Sequence, residues 1–256
     1  MPSVAPSVRP YVVLSCAVSV DGYLDDRSAR RLILSNPEDL DRVDAVRADS
    51  DAILVGAETV RRDDPRLVVR SADRRAARVA AGRTPDPMKV MVTGSGHVAP
   101  NARFFTTGDG PRVVYCPAAV RPGLAAALDP LATVVTPDLR LGRQPGRDGR
   151  AGDRDGRAGD GERVELSALL ADLHARGVGR LMVEGGAGVL SALLGAGLAD
   201  EIHLAVAPFF VGDPAAPRFA GPGDVPWTPG HPMRLREARK MGAMVLLRYD
   251  LPPRPR

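Results

Sequence analysis

A carboxylate followed by two glycines at the end of an apolar run, "LMVEGGAGVLSALLGAG" from Leu181 to Gly197, marks the point in this sequence where chemistry is easiest to place. Where a strand stops and a helix starts, unpaired backbone N–H groups and the positive end of the helix dipole attract anions. Gly185, Gly186 and Gly188 let a ligand approach that backbone closely. "GAGVLS" from Gly186 resembles the dinucleotide pattern G-x-G-x-x-G with Ser191 in place of the last glycine. The pattern comes late in the chain, however, and Asp200 and Glu201 follow too soon for the ribose-binding acid expected about 20 residues on. Glu184, at the carboxyl edge of its strand, has two readings. It either accepts hydrogen bonds from a ring amide or sugar hydroxyl in the crevice, or it caps the next helix.

A second segment, "DAILVGAETVRRDDPRLVVR" (51–70), groups Thr59, Asp63, Arg66 and Arg70 around one turn. Hydroxyl, carboxylate and guanidinium groups so placed suit a phosphorylated sugar beside a cofactor. The alternative is a helix end carrying surface ion pairs of small individual worth.

These residues need a scaffold, and the sequence predicts one. Strands are expected at Tyr11–Val18, Ala52–Val55, Lys89–Thr93, Arg112–Cys116, Thr133–Thr136, "RLMV", "DEIHLAVAP" and Ala243–Leu251. Asn36 as cap, Pro37 at the first helical position and Glu38 and Asp39 in the first turn predict a helix, with Leu40, Val43 and Val46 along one side. Gly56 opens a second helix that Pro65 closes, and Leu166, Leu169, Leu170 and Leu173 mark a third that ends at Gly177. Strands alternating with helices imply an α/β sheet covered on both faces. The segment 142–161, with "DGRAGDR" followed by "DGRAGDG", has no large apolar residue and is expected to be a disordered insertion in a single domain spanning 1–256.

Composition narrows the function class. Of 35 cationic residues all but Lys89 and Lys240 are arginine, interleaved with acids, and aromatics are 4%. That pattern reads as a mixed-charge surface, not a nucleic-acid interface. Cys16 and Cys116 are expected to be buried thiols, and His97, His174, His203 and His231 are too scattered for a metal site. No apolar run is long enough to span a membrane and "MPSVAPSVRP" lacks the order of a secretory signal, so the expected location is cytoplasmic.

"SVDG" at Ser19, the helix bearing Arg47, the 51–70 segment and "VEGGAGVLSALLGAGLADEIHLAVAPFFVGD", in this order and spacing, resemble the pyrimidine reductase family of riboflavin biosynthesis. This is the reductase half of the bacterial bifunctional deaminase-reductase. The resemblance implies a dihydrofolate-reductase-like three-layer fold, with a mostly parallel sheet and antiparallel C-terminal strands, and a homodimer. It also implies reduction by NADPH of the ribosylamino side chain of a pyrimidine 5′-phosphate, 5-amino-6-(5-phosphoribosylamino)uracil or its 2,5-diamino analogue. Carried over residue by residue, Val18, Leu32, Leu34, Thr59, Asp63 and Ser95 would line the cofactor site. Gly186, Ala187, Gly188, Val189, Leu190, Ser191 and Ala192 would hold its phosphates, and Arg47, Leu67, Arg70 and Glu184 would contact the substrate. Asp63, Glu184 or water would supply the proton.

The departures from the family pattern are as informative. The zinc-binding deaminase half is absent, so no deamination is expected. Tyr23-Leu24-Asp25 stand where the family often has Lys-Ile-Ala, and Arg61 and Arg62 replace a small apolar pair before "DDP". Similar chains of other substrate choice carry "DGY". A reductase acting on a pterin or a specialised pyrimidine is therefore the neighbouring alternative, and a nucleotide-binding protein without turnover the more distant one.

Overall fold

In a computed structural model, residues 8–28, 32–137, 164–221 and 224–253 are described; the 142–161 segment lies outside them. Nine strands form one sheet: β1 (Tyr11–Ser19), β2 (Ala52–Gly56), β3 (Met88–Val92), β4 (Arg112–Tyr115), β5 (Thr133–Val135), β6 (Arg180–Gly185), β7 (Glu201–Ala207), β8 (Arg234–Met241) and β9 (Met244–Asp250), in the order β5-β4-β3-β2-β6-β1-β7-β9-β8. All pairings from β5 to β7 are parallel, and β9 and β8 add two antiparallel ones at the C-terminal edge. Parallel strands need helical crossovers, and these cover both faces.

The alternation of the strands divides the core. From β2, Ala52 and Leu54 join the cluster containing Leu169, Leu170 and Leu173 of α6 (Leu166–Ala175) and Leu190, Leu193 and Leu194 of α7 (Ala187–Ala196). Ile53 and Val55 face the other way, into the cluster of Val60 on α2 (Ala57–Asp63), Phe104 and Phe105 on α4 (Arg103–Thr106), and Leu124 and Leu128 on α5 (Arg121–Leu128). The remaining helices are α1 (Pro37–Asp49) and α3 (Ala72–Ala80).

Helix α1 begins as its sequence predicts, with the Asn36 side chain accepting from the Asp39 N–H at 2.9 Å. Its inner face does not follow prediction. Leu40 is largely exposed, whereas Asp39, Arg42 and Asp44 are buried beside Val46. Arg42 is paired by Asp39 one turn earlier and reaches Ser15 of β1 and His203 of β7, while Asp44 accepts from the Arg70 and Ser71 N–H groups and from Arg74 on α3; a local hydrophobic period does not register such partners. Strand β8, "RLREARKM", was not predicted at all: seven of its eight positions are exposed or half-buried, so it lacks the alternation that marks a one-faced strand.

Candidate functional site

A cavity of about 850 Å³ opens where the carboxyl ends of β1, β2, β3 and β6 meet α1, α2 and α7. This is the edge at which open α/β sheets take ligands. One half of its wall is backbone. Gly186 precedes α7 with φ 90° and ψ 105°, outside the range an L side chain adopts comfortably, and no side chain caps the helix. A Cβ on Gly56 would come within 3.2 Å of Val189 Cγ2, and one on Gly186 within 3.5 Å of the Gly56 Cα and 3.4 Å of Thr59 Oγ1. The end of β2 and the start of α7 therefore close on each other through bare backbone. A Cβ on Gly188 would meet nothing within 4 Å. Open space in front of an uncapped helix start is the cradle an extended anionic ligand needs. A dinucleotide pyrophosphate fits the residues present.

The other half is charged and paired. Arg47 of α1 donates from Nε and Nη2 to the two oxygens of Glu184 on β6, at 2.5 and 2.6 Å, and from Nη1 to the Val68 carbonyl at 3.0 Å. The side chains are 14% and 12% exposed. Burial works against the Arg47 charge, but the Glu184 carboxylate outweighs it and raises the Arg47 pKa above its ordinary value. Glu184 is therefore no helix cap. Its oxygens are forked by a guanidinium and present their remaining lone pairs as acceptors.

From the cavity wall a buried polar chain runs into the protein. Arg42 Nε donates to Asp39 at 2.8 Å, and its Nη1 donates to Ser15 Oγ at 3.1 Å and faces His203 Nδ1 at 3.4 Å. His203 Nε2 lies 2.8 Å from Glu201, which also accepts from Arg248 at 2.6 Å. With Nε2–H donating to Glu201, Nδ1 is the acceptor for Arg42. Burial lowers the His203 pKa, and Glu201 offsets this only in part. Burial pushes the Glu201 carboxyl up, but the hydrogen bonds from His203 and Arg248 outweigh it and hold it well below the usual carboxylate range.

The structure brings Leu32, Leu34, Thr59, Asp63 and Ser95 to the same cavity as Arg47 and Glu184. The turn residues Gly186, Ala187, Gly188, Val189 and Leu190 also line it. Other residues named from the sequence lie elsewhere. Val18 is packed in the core on the α6/α7 side, and Ser191 is one turn into α7, accepting from the Gly221 N–H at 3.2 Å; Ala192 is likewise off the wall. Leu67 is buried with φ 48° in the opposite core cluster. Arg66 and Arg70 do not line the cavity; Arg70 donates to the Leu40 carbonyl and approaches Asp44 at 3.7 Å. Ser15, Asp39 and Arg42 line the cavity without having been picked from the sequence. The i, i+3 spacing of Asp39 and Arg42 was the available signal, and it reads equally as a solvated ion pair.

Cys16 and Cys116 are both buried thiols, and Cys16 is on the cavity wall. Burial pushes the Cys16 thiol up to about 12, against the smaller opposing effect of Arg42. Burial raises the Cys116 thiol as well, so both are held protonated and neither cysteine is expected to react with a thiol reagent until the chain unfolds. Titration before and after denaturation checks this; rapid native-state modification of Cys16 would show that the wall opens.

Fold and site together define an α/β protein with a mostly parallel sheet, antiparallel C-terminal strands and a candidate ligand crevice at the carboxyl edge of the sheet. The chain belongs to the RibD C-terminal domain family, whose model matches residues 10–247. It is 38% identical over 210 residues to the 2,5-diamino-6-ribosylamino-4(3H)-pyrimidinone 5′-phosphate reductase of Archaeoglobus fulgidus, covering 82% of this chain and 85% of that protein. Its identity to the protein of the same name from Methanothermobacter thermautotrophicus is 34%, covering 80% and 81%. Among solved structures it is similar in fold to a pyrimidine reductase-like protein of Corynebacterium diphtheriae, with TM-score 0.70 at 20% identity, covering 95% of this chain and 92% of that one.

Proposed function

We propose that this protein is an NADPH-dependent reductase that converts the ribosylamino side chain of a pyrimidine 5′-phosphate to the ribitylamino form in riboflavin biosynthesis. The observation that carries the reading is the division of one cavity into a glycine-walled half and an Arg47–Glu184 half, in a chain whose relatives bear the reductase name. Reading the relatives' substrate onto this chain gives the 2,5-diamino pyrimidinone as first choice and the uracil analogue as second.

The nicotinamide, when bound, supplies the hydride. The chain's own work is alignment and exclusion of water. Gly186 and the start of α7 would seat the pyrophosphate, and Thr59, at the glycine corner, and Ser95 would orient the adjoining sugar. Glu184, held rigid by the guanidinium fork, would accept from the N–H groups of the ring. Because both Glu184 oxygens are committed to Arg47, the proton taken up as the ring-opened side chain is reduced is assigned to Asp63 or to water. The same reading carries a cytoplasmic location and a homodimer as expectations.

One observation favours a second substrate. Arg47 and Arg70 are both engaged within the protein, so neither is preformed as a free phosphate clamp. The second reading keeps the fold, cofactor and hydride step but takes an unphosphorylated pyrimidine or pterin. Following loss of reduced-nicotinamide absorbance with the phosphorylated and dephosphorylated ribosylaminopyrimidines separates the two. Turnover that needs the 5′-phosphate supports the first reading, turnover indifferent to it the second, and the absence of both binding and oxidation sinks the reductase assignment.

A further inference from the structure

Arg61 and Arg62, the pair that departs from the small apolar residues of the resembling family, reach to opposite sides of α2. Arg62 turns toward the segment after β1, forming an ion pair with Asp25 at 2.9 Å and donating to the Asp26 carbonyl at 3.0 Å. Arg61 turns toward the segment after β3. Its Nη1 donates to the His97 carbonyl at 2.8 Å, while its Nη2 pairs with Glu58, three residues earlier on α2. Arg61, Glu58 and Ser95 all line the cavity, and the two charged side chains are 40% and 74% exposed.

We propose that Arg61 reads the 2′-phosphate on the adenosine half of the dinucleotide, with Glu58 as the counter-ion it exchanges on binding; the assignment rests on the dinucleotide reading above. The strand order β3-β2-β6-β1 sets the direction. With the pyrophosphate at the glycine corner between β2 and β6, and the reacting end toward Glu184 and α1, the other nucleoside must cross the carboxyl ends of β2 and β3. The wall there is Gly94, Ser95 and Arg61. Ser95 Oγ accepts from the His97 N–H at 3.4 Å, which leaves its hydroxyl hydrogen to donate.

The charges favour exchange. A phosphate monoester carries about −1.5 to −2 charges and three strong acceptor oxygens, against one charge on an exposed carboxylate. The His97 carbonyl holds one nitrogen of Arg61 in place, so the other changes partner with little loss of conformational freedom. Glu58, the more exposed of the two, is free to swing into water. It also opposes a phosphate by like-charge repulsion, so its presence trims the preference that Arg61 creates.

Calorimetric titration of the full chain tests this, using NADPH and NADH, and adenosine 2′,5′-bisphosphate against adenosine 5′-monophosphate. A charge-assisted contact of this kind corresponds to about a tenfold to hundredfold preference for the 2′-phosphorylated member of each pair. Arg61→Gln is expected to abolish that preference, leaving NADH affinity within about twofold and the melting temperature unchanged, because the side chain is exposed. Glu58→Gln is expected to tighten NADPH binding about threefold without affecting NADH. An unaltered NADPH-to-NADH ratio in Arg61→Gln, or an equal loss for both, overturns the assignment while leaving the dinucleotide reading intact. A wild-type chain that binds neither dinucleotide overturns both.

Discussion

Glu184→Ala is expected to lower the melting temperature by about 6–20 °C and to abolish turnover. The carboxylate is the principal counter-charge for a guanidinium that is only 14% exposed, so its removal leaves a buried cation with one carbonyl partner, Val68. Breaking a buried pair from one side costs about 3–5 kcal/mol, and each kcal/mol corresponds to about 2–4 °C in a chain of this size. A design that reads Glu184 as a substrate group alone would expect lost activity in an intact fold, and the structure argues against that simple outcome. Two further variants separate the roles. Glu184→Gln keeps the volume and one acceptor, so it should retain much of the stability while losing a large part of the turnover. Replacing both partners by Leu removes the charge imbalance and should restore stability to within about 1–2 kcal/mol of the parent, with ligand recognition still absent. If Glu184→Ala melts with the parent protein, the pair does not brace the cavity and the rigid-acceptor role for Glu184 fails.

The second large effect is expected at the glycine corner. At φ 90° and ψ 105°, Gly186 occupies a conformation that costs any L residue about 1–3 kcal/mol. A methyl group there would stand in ordinary contact with Gly56 and Thr59, at 3.5 and 3.4 Å, so the penalty comes from the backbone angle and not from a clash. Gly186→Ala should relieve it by rotating the peptide that leads into α7, which turns the first N–H groups of the helix away from the cavity. Dinucleotide affinity is then expected to fall by at least about tenfold, with the chain still folded. Gly188→Ala is the contrast. Its Cβ would meet open space inside the helix, so stability should rise by up to about 1 kcal/mol while binding weakens, because the methyl group occupies the ligand's approach. Equal affinities in all three chains would remove the dinucleotide from this corner.

Much of the scaffold is legible in the sequence. The eight strands expected from apolar runs all occur, within about two residues at their ends, because strands buried in a parallel sheet are continuous apolar stretches and turn residues bound them. Asn36 and Pro37 start α1 and Gly177, at φ 87°, ends the turn after α6, since capping and positive φ are local demands that particular residues meet. Strand β8 stayed hidden because neither of its faces is consistently buried. Helix α3, "ADRRAARVA", is hidden for a related reason: its buried side is carried by Arg78 with Arg74 and Arg75 half-buried, while Val79 and the alanines are exposed.

At the site, local sequence settled the glycine corner: a strand, a tight turn and a helix start are contiguous, so the residues that form the cradle are neighbours in the chain. What faces that corner was decided only in three dimensions. Arg47 and Glu184 are 137 positions apart, and Arg42 and His203 are 161 apart. A buried charge is tolerable only beside its partner, and no pattern within one segment records a partner supplied by another. The sequence by itself therefore determined the sheet, its crossovers and a glycine turn that leads into an uncapped helix start. Tertiary packing determined that the acid beside the turn is already held by an arginine, because the energy of that contact depends on the burial and geometry of two distant strands of chain.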